Sequence, residues 1–299
     1  MPQADKEYDK IIHQIMMEGV WDRGEPVRTK WSDGTPAYTQ SILNAQMHFD
    51  GTEVPILTRK KVAERTATKE MLLFWQMKTN RAEDFHNMGV TIWDEWIKED
   101  GTIGPAYGAQ LGKPCRVVPK SQYDITLHDP KKEIIEFDVN NWLIDQVDYL
   151  IWQLKTNPTS RRHIVSLWNI TDLDEMALTP CVWNSQWIVQ NRKLHLIVGV
   201  RSNDMALGNP FNVYQYYVLQ RMMAQVCKYD IGTLTFNINN AHIYERHVNG
   251  LEEQMRNQEF PAPTLWLNPN ITNFYDFTMD DIKLFDYISG PTIPFEVAI

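Results

Sequence analysis

The chain has 299 residues, 43% of them hydrophobic and 22% charged, a globular composition that excludes disordered and collagen-like chains. A formal net charge of −9 excludes a generic nucleic-acid binder, which needs a broadly basic surface. No apolar run approaches the roughly 20 residues needed to cross a bilayer. Without repeats, low-complexity tracts or a Gly/Ser linker, the expectation is one domain over 1–299.

The amino-terminal MPQADKEYDKII lacks the basic-then-apolar layout of a secretory signal. Cys115, Cys181 and Cys227 are odd in number and lack metal-ligand spacing, so free thiols in a reducing, cytoplasmic setting are expected. Tyr8, Ile11, Ile12 and Ile15 at helical spacing predict a helix over 5–18, ended by Gly19. A second helix is predicted over 62–79, where Met71, Leu72, Leu73, Phe74 and Trp75 are dense enough for burial on most sides. Pro114, Pro119 and Pro130 break the pattern between Lys113 and Asn141, which reads as an exposed insertion at about 113–141 facing a partner. Trp142, Ile144, Val147, Leu150, Ile151 and Leu154 predict an amphipathic helix over 141–156.

Farther on, Arg162 to Trp168 is β-rich, and Gln186 to Gln190 and Leu194 to Arg201 flank Asn191-Arg192-Lys193 as a hairpin. The nearly continuous apolar LHLIVGV predicts a strand covered on both faces. A helix follows Pro210 from about Asn212 to Lys228, then a strand over Thr233 to Ile238. Helices and strands mix without a βαβ rhythm, so the expected class is α+β rather than doubly wound.

Cys181 follows Pro180, whose ring fixes φ and removes an N–H, so the cysteine stands between a rigid turn and a strand. A free cysteine is either a small buried hydrophobe or, beside a positive charge, a nucleophilic thiolate. The candidate charge is Arg201, which closes LIVGVRSND and reaches the same end of the sheet if the two strands pair. An arginine ending a buried strand is costly unless it meets an anion. Cys115 and Cys227 lack such a setting and read as structural.

RSNDMALGNPFNVYQYY, residues 201–217, reads either as strand, polar turn and Pro-initiated helix or as a recognition loop. In the second reading Arg201 and Ser202 hold a phosphate and Asp204 accepts from an N–H. The Asn212 carboxamide then sets a donor beside an acceptor, matching the O4 and N3–H edge of uracil; an Asp would suit cytosine better. Arg161 and Arg162 are either a solvated pair or donors to an anion across a dimer interface. Arg28, before a Gly-containing loop, can join the same anion site. Glu70 either snorkels outward or is buried with a raised pKa suited to a proton relay. Tyr107 in GPAYG, with Trp93 and Trp96 of IWDEW, offers an aromatic wall for a flat ring. His242 and Tyr244 alternate on a strand end and share a face. His242 and His247 lack a third ligand, so no metal is expected.

The Pro-Cys turn, RSNDMALGNPFN, SRR at 160–162, HIY at 242–244, IWDEW and GPAYG together resemble thymidylate synthase, in a Bacillus- and phage-like branch. The similarity runs from Arg28 to the terminal Val297–Ile299. It implies an α+β single domain with a mixed, mostly antiparallel sheet packed by helices, two chains pairing sheet to sheet. It implies reductive methylation of dUMP to dTMP, with 5,10-methylenetetrahydrofolate as co-substrate donating carbon and hydride, and no metal. By matching position, Cys181 attacks C6 of uracil, while Glu70 and Tyr107 serve the proton network. Arg201, Ser202, Arg28 and, from the partner subunit, Arg161 and Arg162 bind the phosphate. Asn203, Asp204 and Asn212 address the nucleotide, Asn212 reading the base, and His242 and Tyr244 the deoxyribose hydroxyl. Asp204 also holds the pterin, with Trp93, Leu207, Gly208, Phe211 and Ala298 against the folate and Lys60 near its glutamate tail. The Ile299 carboxylate closes as a lid. Four close arginines outweigh the distant, screened acidic charge.

The sequence departs from the family pattern at Val182, Val200, Arg59, Ala63 and Asn239-Asn240, the last touching the strand that presents His242. The alternative implied by the same resemblance is a dUMP hydroxymethylase, in which water rather than hydride captures the methylene.

Overall fold

A computed structural model describes all of residues 1–299. Helix α1 (Gln3–Glu18) buries Tyr8, Ile11, Ile12 and Ile15 as their spacing requires, and the Gly19 N–H closes onto the Ile15 carbonyl. Strands β1 (Val20–Trp21) and β2 (Thr39–Phe49) follow. The apolar run predicted as helix is α2 (Glu64–Met71) continued by a π turn, Leu72–Gln76, with every residue of the turn buried. Helices α3 (Ala82–Asn87) and α4 (Gly108–Leu111) flank the IWDEW segment.

The segment read as irregular instead supplies two strands. β3 (Arg116–Pro119) and β4 (Ile135–Asp138) pair on either side of β5 (Asn141–Ile144) in a small antiparallel sheet. Every residue of β4 is exposed, so no alternation marks it in the sequence. Val118, Tyr123, Ile144 and Trp152 form a small core beneath. The predicted 141–156 helix is correspondingly shorter: Asp145 caps the Val147 and Asp148 N–H groups, and α5 spans Gln146–Thr156.

The second half supplies β6 (Ile164–Ser166), β7 (Val182–Gln190), β8 (Lys193–Val200), β9 (Asn203–Asp204), α6 (Gly208–Cys227) and β10 (Asp230–Tyr244). Asn191 and Arg192, at φ 51° and 61°, form the two-residue turn that matches the twist of the β7–β8 hairpin. Helix α7 (Val248–Arg256) and a hairpin of β11 (Thr264–Leu267) and β12 (Ile282–Phe285) complete the chain.

The main sheet runs β1-β2-β10-β8-β7-β6, with β9 also on β10. Its neighbours are antiparallel except the parallel β10–β8 and β10–β9 pairs, a mixed α+β sheet of the expected kind. Helices α1 and α6 cover one face over a single large core. Within one chain LHLIVGV is fully covered on that face: Leu194, Leu196, Val198 and Val200 are buried, whereas His195, Ile197 and Gly199 on the other face are half-buried. One row on the other face reads His48, Thr235, Ile197, Gln186, Ile164, and Ile164 is 53% exposed. No helix is long and apolar enough to cross a membrane.

Candidate active site

Cys181 and Arg201 meet as strand pairing predicts. Val182 pairs with Val200, and the Arg201 N–H donates to the Cys181 carbonyl at 2.9 Å. The register then skips Trp183, a bulge that re-aims the chain just after the cysteine. The Arg201 guanidinium donates through Nε to the Pro180 carbonyl (2.9 Å) and through Nη2 to the Thr179 carbonyl and hydroxyl (both 2.8 Å), so it braces the turn from below. Burial pushes the Cys181 thiol above the usual cysteine value, with Arg201 pulling down and Asp204 pushing up. Three of the five guanidinium hydrogens are spent on the turn, those on Nη1 meet no acceptor within the chain, and desolvation outweighs the pull of the Arg201 charge on the thiol. The residue nevertheless keeps partial exposure, unlike buried Cys227, whose thiol burial pushes up to about 12. Cys115, read as structural, is an exposed free thiol beside β3.

Beside the cysteine stands the aromatic wall. The Cys181 N–H donates to the Tyr107 hydroxyl at 3.3 Å. Tyr107 adopts φ 42°, a conformation costly for a residue with a Cβ, and the following Gly108 lies so close to Thr79 that a Cβ would sit 2.1 Å from its carbonyl oxygen. The Tyr107 ring stacks on Phe74 at 4.9 Å and meets Trp93 edge-on at 5.1 Å. Trp93 Nε1 in turn donates to Glu70 at 2.6 Å, and Gln215 of α6 donates to the other Glu70 oxygen. The alternatives for Glu70 thereby resolve: it is 5% exposed, and burial pushes its carboxyl up to about 7 against the pull of Trp93 and Gln215.

The 203–212 segment gathers next to this wall. Asn203 and Asp204 pair with Ala241 and His242. Asp204 Oδ1 accepts from the Ala206 N–H (2.8 Å) and Leu207 N–H (3.4 Å), while its second oxygen accepts no hydrogen bond within the chain. Asn212, half-buried at the start of α6, accepts a long 3.5 Å bond from Asn203, and its own amide N–H groups are unused. His242 is buried, its ring 5.4 Å from that of Tyr244. Asn240 Oδ1 meets His242 Nδ1 at 3.0 Å, so the unusual Asn-Asn pair supplies an acceptor that holds the proton on Nδ1 and leaves Nε2 to accept.

Other expected residues lie apart or are already engaged. Arg161 and Arg162 are exposed before β6, without an ion-pair partner. Arg28 and Leu207 are exposed, while Ser202, Gly208, Phe211 and Ala298 are half-buried. Lys60 is buried rather than free in a tail-binding groove: its Nζ donates to the Ala206 carbonyl and lies 4.7 Å from the Phe295 ring, and desolvation lowers its pKa to about 8. Arg59, where the family pattern has Thr, pairs with Asp9 at 2.7 Å and Glu259 at 3.3 Å. Sequence reasoning missed Gln215, whose only signal was a polar residue on a helix otherwise rich in buried side chains, and Tyr8, whose hydroxyl donates to the Met205 carbonyl of the 204–207 turn. No group of three His, Cys, Asp or Glu side chains is arranged to hold a metal ion.

A family model described as thymidylate synthase matches residues 6–299. The chain is 54% identical, over the full length of both, to thymidylate synthase 1 of Bacillus subtilis strain 168 and to the thymidylate synthase of Bacillus phage phi3T. The chain belongs to the thymidylate synthase family. The solved structure of the thermostable thymidylate synthase A from Bacillus subtilis superimposes with a TM-score of 0.90 at 54% identity, covering 100% of each chain. In this member of the family Cys181 and Arg201 stand just beyond the paired ends of β7 and β8, where Val182 and Val200 form the first rung, both buried.

Proposed function

We propose that this chain methylates dUMP to dTMP reductively, with Cys181 as nucleophile and 5,10-methylenetetrahydrofolate as co-substrate, releasing dihydrofolate. The observation that carries the reading is the partly buried Cys181 on a turn braced by Arg201, beside the Tyr107–Trp93–Glu70 chain. Cys181 Sγ adds to C6 of uracil, which makes C5 nucleophilic toward a one-carbon unit, and elimination of the thiolate later restores the ring. The folate supplies that carbon and the hydride. Glu70, poised near neutrality, exchanges protons with the base through water, and Tyr107 extends this network to Cys181.

Asn212 reads the uracil edge: its free N–H donates to O4 and its carbonyl accepts from N3–H. His242 Nε2 and the Tyr244 hydroxyl take the deoxyribose hydroxyl, with Asn203 and Asp204 lining the nucleotide. Arg28, Arg201 and Ser202 bind the phosphate, joined by Arg161 and Arg162 of the partner subunit. The uncovered sheet face and the unpaired state of Arg161 and Arg162 support a homodimer built through that face. The free Asp204 oxygen suits a pterin N–H donor, and Trp93, Leu207, Gly208, Phe211 and Ala298 offer the apolar walls a flat ring needs. Lys60 serves the folate indirectly, through Ala206 and Phe295. The 113–141 segment is taken as an insertion on the one domain, and the chain as cytoplasmic.

Product analysis with dUMP and methylenetetrahydrofolate tests the reading. Equimolar dTMP and dihydrofolate are expected; hydroxymethyl-dUMP with tetrahydrofolate would overturn it in favour of water capture.

A further inference from the structure

Two segments that the site needs are tied together by a side chain outside it. The carboxyl-terminal stretch 292–299 and the loop 28–36 share a backbone pair, Lys30 N–H to a carboxylate oxygen of Ile299 (2.7 Å) and Ile299 N–H to the Lys30 carbonyl (2.9 Å). Ser32 donates to Glu296 Oε1 through its N–H (3.2 Å) and hydroxyl (2.6 Å). Arg246, just past the HIY strand end, spans both segments: Nη1 donates to Glu296 Oε2 at 2.9 Å, and Nη2 to Asp33 Oδ2 at 2.7 Å and the Thr35 hydroxyl at 3.0 Å. Its guanidinium also lies 4.7 Å from the centroid of the Trp31 ring. Neighbouring His247 donates through Nε2 to the Glu296 carbonyl at 2.8 Å, and its Nδ1 lies 3.9 Å from Asp204 Oδ1.

We propose that Arg246 is a positioning residue of the reaction: by bridging Asp33 and Glu296 it holds the tail bearing Ala298 and Ile299 to the loop bearing Arg28, so that the folate-facing and phosphate-facing segments are presented as one body. This rests on the folate and phosphate roles proposed above for those segments. An exposed ion pair alone is weak, because ordering two long side chains offsets its attraction. Here one planar fork satisfies two carboxylates and a hydroxyl while stacked on an indole face, so the ordering is shared among several contacts. Both carboxylates respond to it: hydrogen bonds from Thr35 and then Arg246 hold Asp33 well below the usual range, and those from Ser32 and then Arg246 lower Glu296.

The test compares Arg246→Ala, Glu296→Gln and the double variant with the full-length wild type. Steady-state kinetics are read together with hydrogen exchange at the Lys30 and Ile299 amides. The expected result is a KM for methylenetetrahydrofolate raised about fivefold in each single variant, with the double variant no worse than either, because both substitutions cut the same bridge. Exchange at the Lys30 and Ile299 amides should quicken in all three while the melting temperature stays within the span of a surface substitution. Unchanged exchange would overturn the proposal by showing that the backbone pair alone holds the tail. Faster exchange with an unchanged folate KM would overturn it too, since the bridge would then be structural. A wild type that does not turn over dUMP at all would sink the functional reading instead, and the exchange arm would still report on the bridge.

Discussion

Replacing Glu70 by Gln should remove a pH dependence of stability that the wild type carries. Burial raises the folded-state pKa of Glu70 from 4.5 to about 7, so between those values the folded chain binds a proton that the unfolded chain releases. Stability from this group is therefore present at low pH and lost as pH climbs through 7. From pH 5 to pH 8 the loss amounts to about 2–3 kcal/mol at about 1.4 kcal/mol per pKa unit. Gln cannot ionise, so its variant lacks this slope. It still has to place an amide against two donors, Trp93 Nε1 and Gln215 Nε2, which the Gln215 amide can relieve by turning its oxygen inward at the expense of its 3.3 Å bond to the Ala67 carbonyl. Urea unfolding at pH 5 and pH 8 gives the difference directly. The wild type should lose about 2–3 kcal/mol more than Glu70→Gln across that range; parallel pH profiles would refute the buried, protonatable carboxyl. Turnover of the variant should fall about 100-fold or more, the scale of a lost proton relay.

Three further outcomes follow from named contacts. Asn212→Asp should move preference from dUMP toward dCMP, because a carboxylate offers acceptors in place of the free amide N–H to which base reading is assigned in the proposed function; an unchanged dUMP/dCMP ratio in kcat/KM would place base reading elsewhere. Lys78→Met should cost about 3–5 kcal/mol in urea unfolding at pH 8, because Lys78 is the buried cation among Asp129, Asp145 and Asp148; the gap should narrow as pH falls and the stranded carboxylates take protons, and a cost below about 1 kcal/mol would contradict the buried network. Mixing Cys181→Ser subunits with Arg161→Ala plus Arg162→Ala subunits should restore activity in heterodimers with one intact site, and verified heterodimers without activity would rule out donation across the interface.

Local chemistry was the legible part of the sequence. Pro180-Cys181, the 201–212 segment and the alternation of His242 and Tyr244 each lie within a few residues, so their spacing already places them together. Glu70 stayed open because its fate depends on Trp93, 23 residues away, and Gln215, 145 residues away, which no local pattern links to it. The same limit hid the charged pocket around Lys78, whose acids look like surface residues one at a time. The β3–β5–β4 sheet escaped for other reasons: β4 is exposed throughout and carries no period-two signal, and Trp142 and Ile144 of β5 were read into the helix that follows. The desolvation of the Cys181 thiol was hidden as well, because it depends on how the Thr179–Cys181 turn packs rather than on which residues lie beside it.

The most direct measurement is the intact mass of the chain after incubation with methylenetetrahydrofolate and a dUMP analogue bearing fluorine at C5, where loss of the ring substituent is blocked. The account predicts a stable covalent adduct that maps by peptide mass to the fragment holding Cys181 and is absent from Cys181→Ser. Turnover of dUMP by Cys181→Ser at a near-normal rate, or an adduct on any other residue, would contradict it.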